Sequence, residues 1–210
     1  PAHLSFEQAA ALPLSYVTAW RMLMSRAKLR PGETVLIHGI GGGVALAGLQ
    51  LAKLAGAWTA VTSSSDEKLA RAVELGADCP INYRSTEDVA NDVRSALGGR
   101  GVDVILDSVG AATWPINLDT ARKGARIVHC GVTTGADAPA DLHKIYWKQL
   151  TVMGSTMGSD GDFVALLEAV QRNGLEPVVD SVLPLADAAA AAARMEQGAQ
   201  FGKIVLQLTP

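Results

Sequence analysis

Residues 34–46 read Thr34-Val-Leu-Ile-His-Gly-Ile-Gly-Gly-Gly-Val-Ala-Leu46. The apolar run at 35–37 predicts a buried strand, and the alanine-rich stretch at 44–55 predicts an apolar helix. The glycines between them let the chain turn sharply and let the backbone come close to a ligand. The N–H groups and dipole of the helix N-terminus would then face that ligand. Strand, glycine turn and helix in this order predict binding of a dinucleotide pyrophosphate. The residues expected at the pyrophosphate are Gly39, Gly41, Gly42, Gly43 and Val44.

The spacing of these glycines is not a plain GxGxxG. Val44 stands at the last position of one frame, and a shifted frame reads Gly39-x-x-Gly42-x-x-Ala45. Alanine is the mildest replacement for the third glycine, which serves close packing of helix on strand. The alternative is a glycine-rich turn that only packs, and dinucleotide binding is the favoured interpretation because four glycines lie within five positions.

Composition excludes several classes of protein. The 210 residues are 49% hydrophobic with a formal net charge of −3, and the mean hydropathy is +0.20. The basic residues are dispersed, so no nucleic-acid partner is expected. No apolar run approaches the ~20 residues of a membrane span, and no secretory signal pattern is present. Cys79 and Cys130 form no CxxC pair, which favours a cytoplasmic location and predicts no zinc framework.

Apolar strand patterns alternate with helical patterns through the middle of the chain. This is typical of a parallel sheet covered by helices on both faces, with the ligand outside the carboxyl ends of the strands. We therefore predict an α/β fold, a Rossmann doubly wound parallel six-stranded sheet with flanking helices. The predicted strands are 35–37, 58–62, 79–82, 102–106, 125–129 and 150–153. The predicted helices are 44–55, 66–75, 86–97 and 114–121, and residues 133–149 are expected to be irregular.

The two ends of the chain have a different character. Helices are predicted at 5–11, with Ser5 as N-cap, and at 14–24. Further helices are predicted at 163–171 and 186–195, and strands at 178–185 and 202–208. The chain begins with Pro1 and enters a helix without a preceding strand. We therefore expect it to be a piece of a longer protein.

The end of the second strand bears on the choice of cofactor. A fold that prefers NAD usually has Asp or Glu about 20 residues past the glycines, to bind the ribose 2′-OH. Here the strand ends in Thr62-Ser63-Ser64-Ser65. The hydroxyls of Ser63 and Ser64 would donate to a 2′-phosphate, and Lys68 would supply the opposite charge. NADP(H) is therefore favoured over NAD(H). In the alternative, Ser65 is only an N-cap and Lys68 a solvated residue.

With these residues in place, the chain resembles the medium-chain dehydrogenase/reductase superfamily, and its quinone oxidoreductase and zinc-binding alcohol dehydrogenase-like branch most of all. The likeness covers almost the whole chain. Its motifs, in order, are Ala9-Ala-Ala-Leu-Pro-Leu14, Thr18-Ala-Trp20, Arg30-Pro-Gly32, the glycine stretch, Leu75-Gly-Ala77, Ile81-Asn-Tyr83, Val104-Ile-Leu-Asp-Ser-Val-Gly110, Cys130-Gly131 and Phe201-Gly-Lys-Ile-Val205.

The resemblance implies roles for the matched positions. Tyr83 would join Ser63 and Lys68 at the 2′-phosphate, and Lys203 would reach the pyrophosphate. Thr18 would contact the nicotinamide end, and residues 150–155 would form a sheet edge that pairs in a homodimer. The positions expected near the adenine ribose are Ser108 and Val109, and those near the ribose and nicotinamide are Cys130, Gly131 and Val132. Packing alone is the alternative for Thr18 and Cys130, and a solvated charge is the alternative for Lys203.

The chain also departs from the superfamily pattern. The GroES-like N-terminal domain, which carries most substrate and metal ligands, is absent. Residues 1–25 and 156–210 therefore resemble parts of a truncated catalytic domain around a dinucleotide-binding domain at 26–155. Leu14 stands where zinc enzymes have a cysteine ligand, and leucine cannot bind zinc. We expect no metal site and assign no catalytic residue, since Tyr16 fits the core and Tyr83 a phosphate contact.

The function that the resemblance implies is NADP(H)-dependent hydride transfer to a small carbonyl or quinone substrate, such as a quinone, enone or enoyl thioester. We expect this portion alone to be inactive. One alternative is a piece of a zinc-dependent alcohol dehydrogenase. A second is a non-catalytic module for nucleotide binding or dimerisation. A methyltransferase of related topology is disfavoured by the six-strand pattern.

Overall fold

The computed structural model describes residues 1–208. Within them, parallel strands form a six-stranded sheet in the order β3-β2-β1-β4-β5-β6. The predicted Rossmann, doubly wound arrangement is therefore confirmed. Its strand order reverses between β1 and β4, which is where ligands bind in such sheets. The strands are β1 (Thr34–Ile37), β2 (Trp58–Ser63), β3 (Cys79–Asn82), β4 (Val102–Asp107), β5 (Ala121–His129) and β6 (Thr151–Gly154).

Helices cover both faces of the sheet because its strands carry apolar side chains in both directions. Successive side chains of a strand point to opposite faces. Val35 and Ile37 accordingly belong to one core cluster, with α3 (Gly43–Leu54) and α4 (Asp66–Glu74). Leu36 belongs to the other, with α5 (Val89–Ala96) and α6 (Trp114–Thr120). The remaining helices are α1 (Phe6–Ala11), α2 (Ser15–Trp20), α7 (Leu142–Trp147), α8 (Asp160–Asn173) and α9 (Ala188–Glu196).

Several boundaries differ from the sequence predictions for identifiable reasons. The second helix is α-helical only to Trp20 and continues as a π-helical stretch at Arg21–Arg26. Helix α5 begins three residues later than predicted because Asp88, rather than an earlier residue, accepts the N-cap bond from the Asn91 amide. Helix α8 begins three residues earlier than predicted, at a capping box formed by Ser159 and Asp162. Strand β5 extends back to Ala121, where it pairs with Val102 before a register shift.

Helix α7 lies in the stretch that was expected to be irregular, so that prediction is wrong. The Asp141 side chain accepts a hydrogen bond from the Lys144 amide at 3.1 Å and so caps the helix. Helix α7 buries none of its residues. It is also only six residues long, which is shorter than the window of about eleven residues over which apolar periodicity identifies a helix in sequence.

Residues after the main sheet form a second, smaller sheet in which β7 (Val179–Pro184) runs parallel to β8 (Lys203–Gln207). This unit is joined to the main one by polar contacts. The Gly202 amide donates to the Gly41 carbonyl at 3.0 Å. The buried Tyr16 hydroxyl donates to Gln50 and accepts from the Val178 amide. The boundaries at residues 25 and 155 stay predictions.

Asp162 joins α8 to the helical segment before β1. Its carboxylate accepts hydrogen bonds from the Ser25 hydroxyl, from Arg21 Nη1 at 3.0 Å and from the Ser159 amide at 2.8 Å. These donors, with Ser25 the strongest, lower the pKa of Asp162 to about 2. Since its side chain is only 9% exposed, losing this charge would weaken several hydrogen bonds at a site with little access to water.

We expect Asp162→Asn to lower the free energy of unfolding by about 2 kcal/mol at pH 7. The folded-state pKa lies below the unfolded one, so the carboxylate's contribution is complete above about pH 5 and is lost as the pH falls towards 2. The difference between variant and wild type should shrink by about half at pH 3. Urea unfolding at both pH values measures it, with the exposed Asp160→Asn as control. A difference independent of pH would contradict this account.

Candidate dinucleotide-binding site

The loop Gly39–Gly43, here called the glycine loop, joins β1 to α3. Gly39 has φ 70° and Gly41 has φ 113°, values that side chains disfavour strongly. Gly42 is the N-cap of α3 in an extended conformation and makes no side-chain cap bond. The amino end of a twelve-residue helix therefore begins at the carboxyl edge of the sheet, with its dipole towards the loop.

Two lysines flank the glycine loop. A Cβ on Gly41 would lie 2.9 Å from Cδ and 3.3 Å from Nζ of Lys68. A Cβ on Gly43 would lie 3.0 Å from Cδ of Lys203 and 2.6 Å from the Ser15 hydroxyl oxygen. A side chain at either position would therefore displace these neighbours, and at Gly41 it would also strain the backbone. The structure brings these predicted residues together, and it places positive charge on either side of the loop expected to hold a pyrophosphate.

A cleft of about 450 Å³ opens beside the glycine loop. It lies between the ends of β1 and β2 on one side and the turn after β4 with α6 on the other. Among the residues expected at the cofactor, Gly39, Tyr83 and Val109 line it. Tyr83 is half exposed and is tied to β2 through its amide, which donates to the Ser63 carbonyl at 3.1 Å. The other walls are formed by His38, Thr62, Thr86–Ala90, Ala112, Thr113, Pro115, Ile116, Asp119 and Thr134.

The serine turn after β2 is ordered by its own hydrogen bonds. Ser63 is buried, and its hydroxyl oxygen accepts from the Ser65 amide at 3.2 Å. Ser65 caps α4 as predicted, accepting from the Lys68 amide at 3.3 Å. The Lys68 ammonium donates to the Gly198 carbonyl at 2.5 Å. Burial lowers the pKa of Lys68, as expected for a partly desolvated cation whose direct partner is a neutral carbonyl.

The turn after β4 packs backbone to backbone on the segment after β5. The Ala111 amide donates to the Gly135 carbonyl at 3.0 Å, and the Thr134 amide donates to the Val109 carbonyl at 2.9 Å. A Cβ on Gly131 would lie 2.9 Å from the Ser108 carbonyl oxygen. Ser108, Val109 and Gly131 are thus brought together.

Val132 instead lines a separate hollow of about 230 Å³, with His129 and Trp114.

Other predicted positions lie outside the walls of the main cleft. Thr18 is buried in α2, and its hydroxyl donates to the Leu14 carbonyl at 2.7 Å. Cys130 is half-buried at the end of β5, where burial, reinforced by the Asp107 charge, raises the pKa of its thiol to about 11. The thiol therefore stays protonated at neutral pH and is a poor nucleophile. Ser64, Gly42 and Val44 are partly exposed beside the serine turn and the helix start.

The sequence reasoning missed polar residues that underlie the cleft. His38, Thr62, Asp107 and Asn117 are buried and bonded to one another in a chain. For His38, Thr62 and Asp107 the available signal was a polar residue at the end of an apolar strand, because carboxyl ends of parallel strands share one edge. Asn117 lies within α6 and gave no such signal. Within residues 1–208, no group of three or more His, Cys, Asp or Glu side chains is placed to hold a metal ion. No described helix is both long and apolar enough to span a membrane.

The comparisons place these features in a known family. The zinc-binding dehydrogenase family model matches residues 43–172. The chain spans about 60% of the length of the curated relatives that it matches first. One relative is the quinone oxidoreductase of Rattus norvegicus, 30% identical over 99% of this chain and 64% of that protein.

Solved structures agree with the fold in detail. An NAD-dependent alcohol dehydrogenase is 39% identical, with a TM-score of 0.94 over all of this chain and 61% of the other. A 2-octenoyl-CoA carboxylase reductase in complex with NADP and 2-octenoyl-CoA is 31% identical, with a TM-score of 0.88 over 98% of this chain and 50% of the other. From the match of 130 residues (43–172) to the family model, the chain belongs to the zinc-binding dehydrogenase family of the medium-chain dehydrogenase/reductase superfamily.

Proposed function

We propose that this chain is the cofactor-binding portion of an NADP(H)-dependent oxidoreductase that transfers hydride to a conjugated carbonyl, such as a quinone, enone or enoyl thioester. The observation that carries the proposal is the serine turn after β2. Ser63 ends the strand where a carboxylate would select NAD, and Lys68 lies beside Gly41. Serine hydroxyls and an ammonium suit a 2′-phosphate, whereas a carboxylate would repel it.

The residues present fit a nicotinamide dinucleotide. The glycine loop has the bare backbone that a pyrophosphate needs, with Lys68 and Lys203 on either side. The cleft walled by Tyr83 and Val109 has room for the adenosine half. In this proposal Ser63, Ser64, Lys68 and Tyr83 hold the 2′-phosphate, Ser108 and Val109 the adenine ribose, and Thr18, Cys130, Gly131 and Val132 the nicotinamide end. The bound cofactor supplies the hydride.

No proton donor is assigned. Burial raises the pKa of the Tyr16 hydroxyl well above its ordinary value, and this hydroxyl is already bonded to Gln50 and the Val178 amide. Tyr16 is therefore a structural residue of the core rather than a proton donor. We propose that the whole enzyme turns over a substrate of this class. We also propose a cytoplasmic location, since Cys79 and Cys130 are unpaired in the described structure.

A second candidate is an NAD-dependent alcohol dehydrogenase. The 39% identity to a solved structure of that description favours it. The described residues offer no ligand set for a zinc ion, and Leu14 is half exposed at the position where zinc enzymes are expected to have a cysteine. We therefore favour hydride transfer without a metal step through this chain. A module that binds nucleotide without turnover is the third candidate, and an assay of the whole protein for NADPH oxidation with a quinone or enone tests it.

We also propose a homodimer through the outer edge of the main sheet. β6 ends the strand order and has a neighbour on one side only within the described residues. Val152 in that strand is 44% exposed, and Tyr146 and Trp147 of the adjoining α7 are 64% and 60% exposed. An open edge strand beside exposed aromatic side chains is the pattern of a surface that is covered in the native assembly.

The cofactor proposal predicts that NADPH binds at least about tenfold tighter than NADH, as a charge-assisted bond of about 1.5–3 kcal/mol implies. Lys68→Ala should remove most of this preference, and Ser63→Asp should reverse it. Arg172→Ala, at an exposed position on α8 outside the cleft walls, is the matched control. Titration of each nucleotide against tryptophan fluorescence measures the dissociation constants. Equal binding of NADPH and NADH by the wild type would refute the serine–lysine argument.

The dimer proposal predicts that the wild type sediments as a dimer and that Val152→Asp sediments as a monomer, because the change places charge at an apolar contact. Val164→Asp, at a similarly exposed apolar position on α8, should leave the dimer intact. Analytical ultracentrifugation across a range of concentrations gives the answer. A monomeric wild type, or dissociation by both variants alike, would contradict the edge as the interface.

A further inference from the structure

Asp107, at the carboxyl end of β4, is fully buried. Its Oδ1 accepts hydrogen bonds from the amides of Val109 at 2.6 Å and Gly110 at 3.2 Å. Its Oδ2 accepts from the Thr113 hydroxyl at 2.7 Å and from Asn117 Nδ2 at 2.5 Å. These bonds satisfy both oxygens, which a buried carboxylate requires. They also wrap the turn after β4 around one side chain.

The hydrogen bonds continue in one direction from Asp107 to the glycine loop. A carboxylate only accepts, so Asn117 must turn its amide nitrogen to Asp107 and its oxygen to His38. His38 Nε2 must then carry the hydrogen that it shares with Asn117 Oδ1 at 2.8 Å. His38 Nδ1 accepts from the Thr62 hydroxyl at 3.1 Å, whose oxygen accepts from the Gly39 amide at 3.4 Å.

A neutral His38 fits this chain of bonds. It is 1% exposed, and burial lowers its pKa, although the nearby Asp107 charge and the bond to Asn117 act in the opposite direction. His129 Nδ1 lies 3.7 Å from Asp107 Oδ2 and faces the same carboxylate from β5. Every donor in the series therefore has an acceptor, and the order of donors depends on Asp107 being charged.

Both ends of this series form walls of the main cleft. Gly39, His38 and Thr62 line it from β1 and β2, and Val109 and Thr113 line it from the other side. We propose that Asp107 is a positioning residue that sets the shape of the cleft for the adenosine half of the cofactor. It does so directly through the Val109–Gly110 turn and indirectly through Asn117 and His38. The inference rests on the proposed function only in that a nucleotide occupies this cleft.

The same strand provides a matched control. Asp103 is also buried, and it accepts from the Thr34 amide at 2.9 Å, from the Thr34 hydroxyl at 2.8 Å and from Arg122. It stands at the amino end of β4, away from the cleft walls. Removing the charge at either position costs stability, but only the change at Asp107 should alter the cleft.

The experiment compares Asp107→Asn with Asp103→Asn in the full chain. Calorimetric titrations use NADPH and adenosine 2′,5′-bisphosphate, below the melting temperature of each variant. We expect Asp107→Asn to weaken both ligands at least about tenfold, because both carry the adenosine half that the proposal places against this turn. Asp103→Asn should bind both within about twofold of wild type, although it unfolds at lower temperature. Equal losses in the two variants would overturn the proposal.

A second readout reports on the hydrogen-bond order itself. Nitrogen-15 NMR of the imidazoles should find His38 protonated at Nε2 in the wild type. In Asp107→Asn, the introduced amide can present its own N–H₂ group to Asn117, which would then turn over and shift His38 to the Nδ1-protonated tautomer. A general loss of stability would not cause this change. An unchanged tautomer in a folded Asp107→Asn protein would refute the indirect part of the proposal.

Milder variants keep the test valid if Asp107→Asn does not fold. Thr113→Val removes one donor to the carboxylate but keeps the side-chain shape, and Thr113→Ser keeps the donor. Only Thr113→Val should weaken the bisphosphate, by about threefold or more. Thr120→Val is the control, since that buried hydroxyl on the same helix bonds the Ile116 carbonyl instead. Equal affinities in all these variants would refute the direct part.

Failure of the proposed function would look different, because it is visible in the wild type. If the wild type prefers NADH, the choice of cofactor is wrong, and the comparison of Asp107 with Asp103 is read with NADH and AMP instead. If the wild type binds no nucleotide at all, the dinucleotide site itself is refuted, and the positioning role with it.

Discussion

The close approach of α3 to the end of β1 is the constraint on which the rest of the structure depends. Gly39 and Gly41 adopt backbone angles that a side chain would strain. Gly43 and Gly48 have no room for a Cβ, since one at Gly48 would lie 2.8 Å from Leu106 Cδ1. Because α3 follows β1 directly through the glycine loop, its amino end lies at the carboxyl edge where the strand order reverses. The cleft, the flanking lysines and the serine turn are all arranged around that point.

The two ends of the central strands are built differently. At the amino end, Asp103 binds Thr34 and Arg122 and so holds β4 to its neighbours β1 and β5. At the carboxyl end, Asp107 is satisfied by a local turn and by neutral side chains. The hydrogen bonds of this fully buried carboxylate beside the cleft thus come from backbone amides, a hydroxyl and a side-chain amide. Buried polar groups of this kind need complete hydrogen bonding, and meeting that need orders the surrounding loops.

Much of the fold was predictable because its signals are local. Apolar strands of four to six residues, helix caps such as Ser5 and Ser65, and glycines at turns each act over a few residues, and the structure confirms them. The failures occur where local signals were weak or competed. Helix α7 has only six residues and none of them is fully buried, so its apolar pattern was too short to identify a helix. Asp88 rather than an earlier residue caps α5, and either could have started the helix.

The sequence by itself determined the fold class, the family and the position of the glycine loop, because these depend on residue types at fixed spacings along the chain. Only the tertiary structure decided which side chains meet. It placed Lys68 over Gly41 with its ammonium on the Gly198 carbonyl, 130 residues away. It also joined His38, Thr62, Asp107 and Asn117 into one series of hydrogen bonds. The physical reason is that parallel strands bring their carboxyl ends to one edge, whereas which buried donor finds which acceptor there depends on packing in three dimensions.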